Sequence, residues 1–105
     1  MIVRWQTRGG WPSQLGLYST ISAYTRSDRV STFKIGITGN PDNRAAAYDY
    51  DEMVVLYETR SERHARDLEA ILVEDYRDYC DNKRRGGAGR LSGPPFYLYV
   101  VRNRS

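Results

Sequence analysis

The sequence predicts an α/β (α+β) fold in which helices flank a small, mainly antiparallel β-sheet, in the order β-β-α-β-α-β. The first observation is the length of 105 residues, which leaves room for one small hydrophobic core, so we treat residues 1–105 as a single domain. The second is that short runs rich in β-branched and aromatic residues alternate with two segments of helical character. The third is the polar connection between the first two runs, which favours an antiparallel start.

The N-terminal third is predicted to contribute an arm and a hairpin. Residues 1–13 include two Gly and one Pro and are predicted to be irregular. Leu15–Tyr24 (LGLYSTISAY) is rich in β-branched and aromatic residues and is predicted to be the first strand. Thr32–Thr38 (TFKIGIT) is predicted to be the second strand, so the pair forms a hairpin with a longer loop.

The turn after the second strand carries the signals of a helix start. Asn40 is a favourable N-cap residue, and Pro41 follows it at the first helical position, where proline is preferred. The helix is predicted to continue through Tyr48. Arg44 and Tyr48 are four residues apart, so they lie on one face and are able to act on one ligand.

The strongest helix signal follows a third strand, which we predict over Met53–Thr59. Thr59 and Glu62 match a capping box, and apolar residues recur at helical spacing after them. These signals predict a helix from Arg60 to about Cys80.

The C-terminal segment combines a basic loop with a last strand. Asn82–Pro95 is a basic loop rich in Gly and Pro, and Phe96–Val101 (FYLYVV) is the predicted final strand. The net charge is only +3, but the chain from Asp81 onward holds six basic residues and one acidic residue. This imbalance favours a polyanionic partner such as nucleic acid, although a solvated surface explains the charge equally well.

Composition excludes several classes of site. Cys80 is the only cysteine, which excludes an internal disulfide and a cysteine-based metal cage. His64 is the only histidine, which argues against a histidine-rich zinc site and a Ser-His-Asp triad. No apolar run approaches the length of a membrane span or a signal peptide, so we expect no membrane partner and a cytoplasmic location.

Five polar side chains stand out against this frame. Each taken alone is an ordinary packing or surface residue. Glu69 lies at the edge of the apolar stripe of the long helix, where an acid is able to face the sheet. The set comprises Tyr18, Lys34, Arg44, Tyr48 and Glu69.

Together these residues resemble the GIY-YIG nuclease superfamily. The GLY at Gly16–Tyr18 is similar to the first motif of that family. The KIG at Lys34–Gly36 is similar to the second motif, in the variant in which Lys replaces the first Tyr. The resemblance covers about residues 15–82, and residues 83–101 add the basic loop and the last strand.

The other family positions follow in order. Arg44 falls ten residues after Lys34, as the family arginine does, and Tyr48 matches a second family tyrosine on the same helix. Glu69, in ARDLEAIL, is similar to the glutamate of the family's metal-binding helix. Asn82, thirteen residues later, matches a family asparagine that closes the site.

The resemblance implies a metal-dependent endonuclease that hydrolyses DNA phosphodiester bonds. Glu69 would hold one Mg²⁺ or Mn²⁺ ion, which prefers oxygen ligands and would stabilise the leaving oxygen. Arg44 would hold two phosphate oxygens with its planar fork, and Lys34 would add a second positive charge.

Three further residues have implied roles in the same reaction. Tyr18 would take the proton of the attacking water, helped by nearby cations that favour a phenolate. Tyr48 would position water or phosphate. Asn82 would orient Glu69 or its bound waters.

The resemblance also bears on partners. The basic loop would contact the DNA backbone through Lys83, Arg84, Arg85 and Arg90. Sequence specificity would come from a protein partner or be absent. Two alternatives stay open: a catalytically inactive nucleic-acid-binding module of the same fold, and a protein-interaction domain that uses its nine tyrosines as a contact surface.

Overall fold

The computed structural model describes residues 2–8, 21, 30–46, 50–76, 91 and 93–104. Apart from the helical residue Ile21, they form six elements in the order β-β-α-β-α-β, although the first strand is Ile2–Arg8 and not the predicted Leu15–Tyr24. The strands are β1 (Ile2–Arg8), β2 (Val30–Thr38), β3 (Glu52–Thr59) and β4 (Phe96–Arg104), and the helices are α1 (Pro41–Ala46) and α2 (Glu62–Asp75). The α+β fold class is confirmed.

The four strands of the described ranges form one sheet in the order β1-β3-β4-β2. β4 pairs antiparallel with both β3 and β2, while β1 pairs parallel with β3. The sheet is therefore mainly antiparallel, as predicted. The C-terminal strand lies inside the sheet, and β1 and β2 lie at its two ends.

The prediction of an irregular N-terminal arm is wrong. Ile2–Arg8 is a strand, because its Ile, Val, Trp and Thr residues are good strand formers. The predicted hairpin joins Leu15–Tyr24 to β2, and apart from Ile21 its first strand lies outside the described residues. Among the described strands β2 pairs with β4, which is far away in sequence.

The predicted strand Leu15–Tyr24 is contradicted at the position that the structure describes. Ile21 is helical and fully buried in the core that also contains Phe33 and Leu72. Its β-branched side chain suits a strand by propensity, but burial against the core overrides that preference. The remainder of the segment, including the GLY residues, lies outside the described residues.

The turn into α1 follows the prediction. The backbone N–H of Asn43 donates to Oδ1 of Asn40 at 3.2 Å, so Asn40 is the N-cap residue. The N–H of Arg44 donates to the Asn40 carbonyl at 3.0 Å, which begins the helix. The hydroxyl oxygen of Thr38 accepts the Asn40 N–H at 3.1 Å and fixes the turn to the end of β2. Arg44 is thereby placed directly beyond β2.

Helix α2 is shorter than predicted at both ends. Ser61 is its N-cap and accepts the N–H of His64 at 3.2 Å, so the predicted capping box of Thr59 and Glu62 does not form. Thr59 still belongs to β3, where it pairs with Phe96, and the sheet therefore takes precedence over the local capping signal. The helix ends with Tyr76 as its C-cap, before the predicted limit.

Both faces of the sheet carry buried apolar side chains. One face packs against α2 through Ala65, Leu68 and Leu72, opposite the alternate apolar residues of β2, β3 and β4. The other face includes Tyr99 and packs against Ala45 of α1. No helix in the described ranges combines the length and the apolar composition that a membrane-spanning helix requires.

Candidate active site

Glu69 points from α2 into the protein and not into solvent. Only 3% of its surface is exposed. The backbone N–H of Ile37, on β2, donates a hydrogen bond to its carboxylate. β2 is the last strand in the order of the described sheet, and α2 brings the acid to this strand. The position of Glu69 at the edge of the apolar stripe therefore turns its carboxylate toward the sheet, as the sequence predicts.

Three cations from three elements act on the Glu69 carboxylate. Burial raises the pKa of Glu69 above its ordinary value, because an ionised carboxyl is poorly solvated there. Arg66 opposes this rise most strongly. The N–H of Ile37 lowers the pKa of Glu69 less strongly than Arg66 does, and the charges of Lys34 and Arg44 lower it less still. The carboxylate thus lies in a cationic environment that compensates its burial only in part.

One oxygen of Glu69 lacks a hydrogen bond within the part of the chain that the structure describes. Oε1 is buried and has no partner there, so the Ile37 N–H is held by Oε2. A buried polar atom of this kind costs stability and calls for a functional explanation. An oxygen with an unused lone pair is also the donor that a hard divalent cation prefers.

The donor set fits a metal ion that is held mainly by water and substrate. The described ranges contain no group of three or more His, Cys, Asp or Glu side chains that could hold a metal. Mg²⁺ commonly uses one or two carboxylates and keeps several waters, so a single acid is a sufficient protein ligand. Glu69 Oε1 is the atom that would serve.

The structure brings together three of the residues that the sequence selected. Glu69, Lys34 and Arg44 come from α2, β2 and α1, and their charges interact. Lys34 is half-buried and Arg44 is exposed. The other selected residues lie outside the described residues: Tyr18, Tyr48, Asn82, Lys83, Arg84, Arg85 and Arg90.

The glycine of the KIG sequence has a packing role next to this site. Gly36 lies opposite Tyr99 in the β2–β4 register. A Cβ atom at Gly36 would overlap the phenol ring and hydroxyl of Tyr99, so the ring lies directly across the glycine. Tyr99 is 1% exposed and reaches from the inner strand to β2, one residue away from the Ile37 N–H that Glu69 binds.

Sequence reasoning missed two residues of this region. Arg66 precedes Glu69 by three residues, and this spacing places both on one face of a helix, so the signal was present. Tyr99 carried no local signal, because its position beside Gly36 depends on strand pairing across more than sixty residues of sequence.

A second buried acid lies elsewhere in the sheet and has a different environment. Glu52, on β3, is 1% exposed and pairs in register with Arg102 on β4. Nη2 and Nε of Arg102 donate to Oε2 of Glu52 at 2.8 and 3.1 Å. Two charge-assisted hydrogen bonds to one oxygen make this an ion pair that joins the two strands.

Comparisons of the chain with protein-family models, with curated proteins and with solved structures find no match.

Proposed function

We propose that this protein is a metal-dependent endonuclease that hydrolyses DNA phosphodiester bonds. The observation that supports this function best is the buried Glu69 carboxylate, whose Oε1 has no hydrogen-bond partner in the described ranges and on which three cations act. An acid in this position is suited to bind a metal ion, and the cations around it are suited to bind a phosphate. The resemblance to the GIY-YIG nucleases gives the same assignment.

Arg44 is the residue that we assign to the scissile phosphate. It is exposed on α1, directly beyond β2, and its charge acts on Glu69. A guanidinium is able to hold two phosphate oxygens at once and to stabilise the charge that develops during hydrolysis. Lys34, half-buried on β2, would add a positive charge to the same phosphate.

Glu69 would hold the divalent ion through Oε1. When bound, Mg²⁺ or Mn²⁺ supplies Lewis-acid stabilisation of the leaving oxygen. The Ile37 N–H keeps the carboxylate oriented by holding Oε2, which leaves Oε1 for the ion. We keep Tyr18 as the proposed acceptor of the water proton, with Tyr48 and Asn82 as positioning residues.

The wider assignment is part of the same proposal. DNA is the proposed partner, contacted also by Lys83, Arg84, Arg85 and Arg90, and a protein partner would supply any sequence preference. We expect action in the cytoplasm, where the single cysteine, Cys80, stays reduced.

Nicking of supercoiled plasmid DNA in Mg²⁺ or Mn²⁺ tests the function. We expect wild-type protein to nick, and Glu69→Gln and Arg44→Ala to lose roughly 100-fold or more in rate, because each removes a group that stabilises the transition state. Glu74→Gln is the matched control, since Glu74 is an exposed acid on the same helix. Melting temperatures establish that each variant is folded.

The outcomes distinguish the nuclease from the inactive nucleic-acid-binding module. Nicking that persists in Glu69→Gln contradicts the assigned site. Salt-dependent DNA binding by wild-type protein without nicking in either metal favours the inactive nucleic-acid-binding module. That alternative has support of its own, because three cations around one acid leave a local excess of positive charge that attracts a polyanion without any metal.

A further inference from the structure

Arg66 lies beside the turn that joins β2 to α1. Two contacts fix how α2 runs along β2: Tyr76 packs edge-on against Phe33 at 6.0 Å, and Glu69 binds the N–H of Ile37. The helix therefore runs in the opposite direction to the strand. Arg66 is about one helical turn before Glu69, which places it beyond Ile37 at the level of the turn after Thr38.

Arg66 is placed to bind a ligand as well as to balance Glu69. Its side chain is 35% exposed, whereas Glu69 beneath it is buried. Nε of Arg66 lies 3.4 Å from Oε2 of Glu62, one turn earlier on the same helix. This pairing orients the guanidinium along the helix.

We propose that Arg66 binds a DNA phosphate next to the one held at Glu69 and Arg44. This inference rests on the proposed function and names a substrate-binding residue that the resemblance did not supply.

The spacing of Glu69 and Arg66 suits neighbouring phosphates of one DNA strand. Arg66 is about 4.5 Å along the helix axis from Glu69. One strand of duplex DNA carries a charge for about every 3.4 Å of helix axis. A displacement of this size corresponds to about one phosphate, so Arg66 meets a neighbour of the phosphate held at Glu69.

Binding of a fluorescent DNA duplex without metal, in EDTA, tests this inference. For Arg66→Gln we expect Kd to rise roughly 5–10-fold at low salt and the slope of log K against log salt to fall by about one phosphate contact. Arg63→Gln is the matched control, because it removes the same charge from the same helix, and Arg63 is 92% exposed. It should leave Kd within about twofold. Arg66→Lys should restore most of the binding.

Nicking kinetics separate binding from chemistry. Because Arg66 is assigned to a neighbouring phosphate, Arg66→Gln should raise KM and leave kcat within about twofold, whereas Arg44→Ala should lower kcat. Equal losses of affinity in Arg66→Gln and Arg63→Gln, or no loss in either, would overturn the inference.

Glu62→Gln gives an independent test if Arg66→Gln does not fold. Glu62 is half-exposed, and its removal deletes a negative charge that competes for Arg66. We expect DNA affinity to rise about 2–3-fold, and an unchanged or weaker affinity would contradict the proposal.

The binding and nicking results also distinguish this inference from the proposed function. If wild-type protein never nicks but Arg66→Gln selectively loses DNA binding, the nuclease proposal fails and the Arg66 site stands. If wild-type protein nicks and Arg66→Gln retains its Kd and KM, the nuclease proposal stands and the Arg66 site fails.

Discussion

The two buried glutamates of this protein, Glu52 and Glu69, differ in how their charges are compensated. Both are almost completely buried. Glu52 shares one oxygen between two N–H groups of Arg102, its cross-strand neighbour. Glu69 holds one backbone N–H, and none of the ion pairs within 4.0 Å that the described residues form includes it. The first acid is compensated by contact, and the second mainly by cations that act over a greater distance.

This difference indicates different roles. An ion pair between neighbouring strands contributes to their register. An acid whose pKa is raised by burial, and which forms no ion pair within 4.0 Å among the described residues, is costly for the fold, and such costs are concentrated at functional sites. The comparison therefore supports a structural role for Glu52 and the functional role that we propose for Glu69.

The largest effect on stability is expected at the ion pair of Glu52 and Arg102. Arg102→Met leaves the Glu52 carboxylate buried without its partner, and removal of one member of a buried pair costs about 3–5 kcal/mol. Urea denaturation measures this as a lower free energy of unfolding. Arg63→Met removes an arginine that is 92% exposed and should cost no more than about 0.5 kcal/mol.

The double variant Glu52→Met/Arg102→Met sharpens the same test. Because it removes both charges, it should recover most of the stability that Arg102→Met loses. If Arg102→Met is as stable as Arg63→Met, then Glu52 is not held by its arginine and the contrast with Glu69 fails.

An intermediate effect is expected at Gly36, beside the Glu69 site. Gly36→Ala places a methyl group into the Tyr99 ring, and such overpacking costs about 1–3 kcal/mol. The displaced strand should also move the Ile37 N–H away from Glu69 and slow nicking. Urea denaturation and the plasmid assay measure the two effects.

A double-mutant cycle isolates the contact between glycine and ring. In a Tyr99→Leu background the additional cost of Gly36→Ala should be smaller, because the phenol is no longer there. An equal cost in both backgrounds would show that the alanine acts on the strand itself and not through Tyr99.

The smallest effect on stability is expected when the Glu69 charge is removed, and this change should stabilise the protein at pH 7. The native pKa of Glu69 is raised above the ordinary value of 4.5, so the unfolded chain releases this proton at a lower pH than the native protein does. The contribution of Glu69 to stability is therefore greatest below pH 4.5 and declines as pH rises from there through the native pKa. Glu69→Gln, which does not ionise, should be more stable than wild type at pH 7.

Melting temperatures measured in EDTA between pH 4 and pH 8 check this. The difference between Glu69→Gln and wild type should grow with pH, whereas Glu74→Gln, the exposed control, should follow wild type. Parallel profiles for Glu69→Gln and wild type would contradict a raised pKa at this position.

Much of the site was accessible from sequence because its members belong to local patterns. Asn40 and Pro41 mark the start of α1 and so place Arg44 beyond β2. The apolar spacing of α2 turns Glu69 toward the sheet. Arg66 lies three residues before Glu69, so the same spacing places it on that face of the helix. Each of these signals involves residues within about four positions of one another.

The remaining features depend on contacts between distant segments. The sequence of β2 does not reveal that β4 is its neighbour in the described sheet. Thr59 is not the N-cap of α2, because its pairing with Phe96 keeps it in β3. The Tyr99 ring across Gly36 and the Arg102 partner of Glu52 both arise from that same placement of β4.

The sequence by itself determined the elements from β2 to β4, the cap of α1 and the inward face of α2, because capping and periodicity are short-range effects. Only the tertiary structure decided which strand lies in the middle of the sheet, and with it which buried glutamate forms an ion pair with an arginine of the neighbouring strand. Strand pairing is decided by long-range burial and hydrogen bonding, which no local stretch of sequence records.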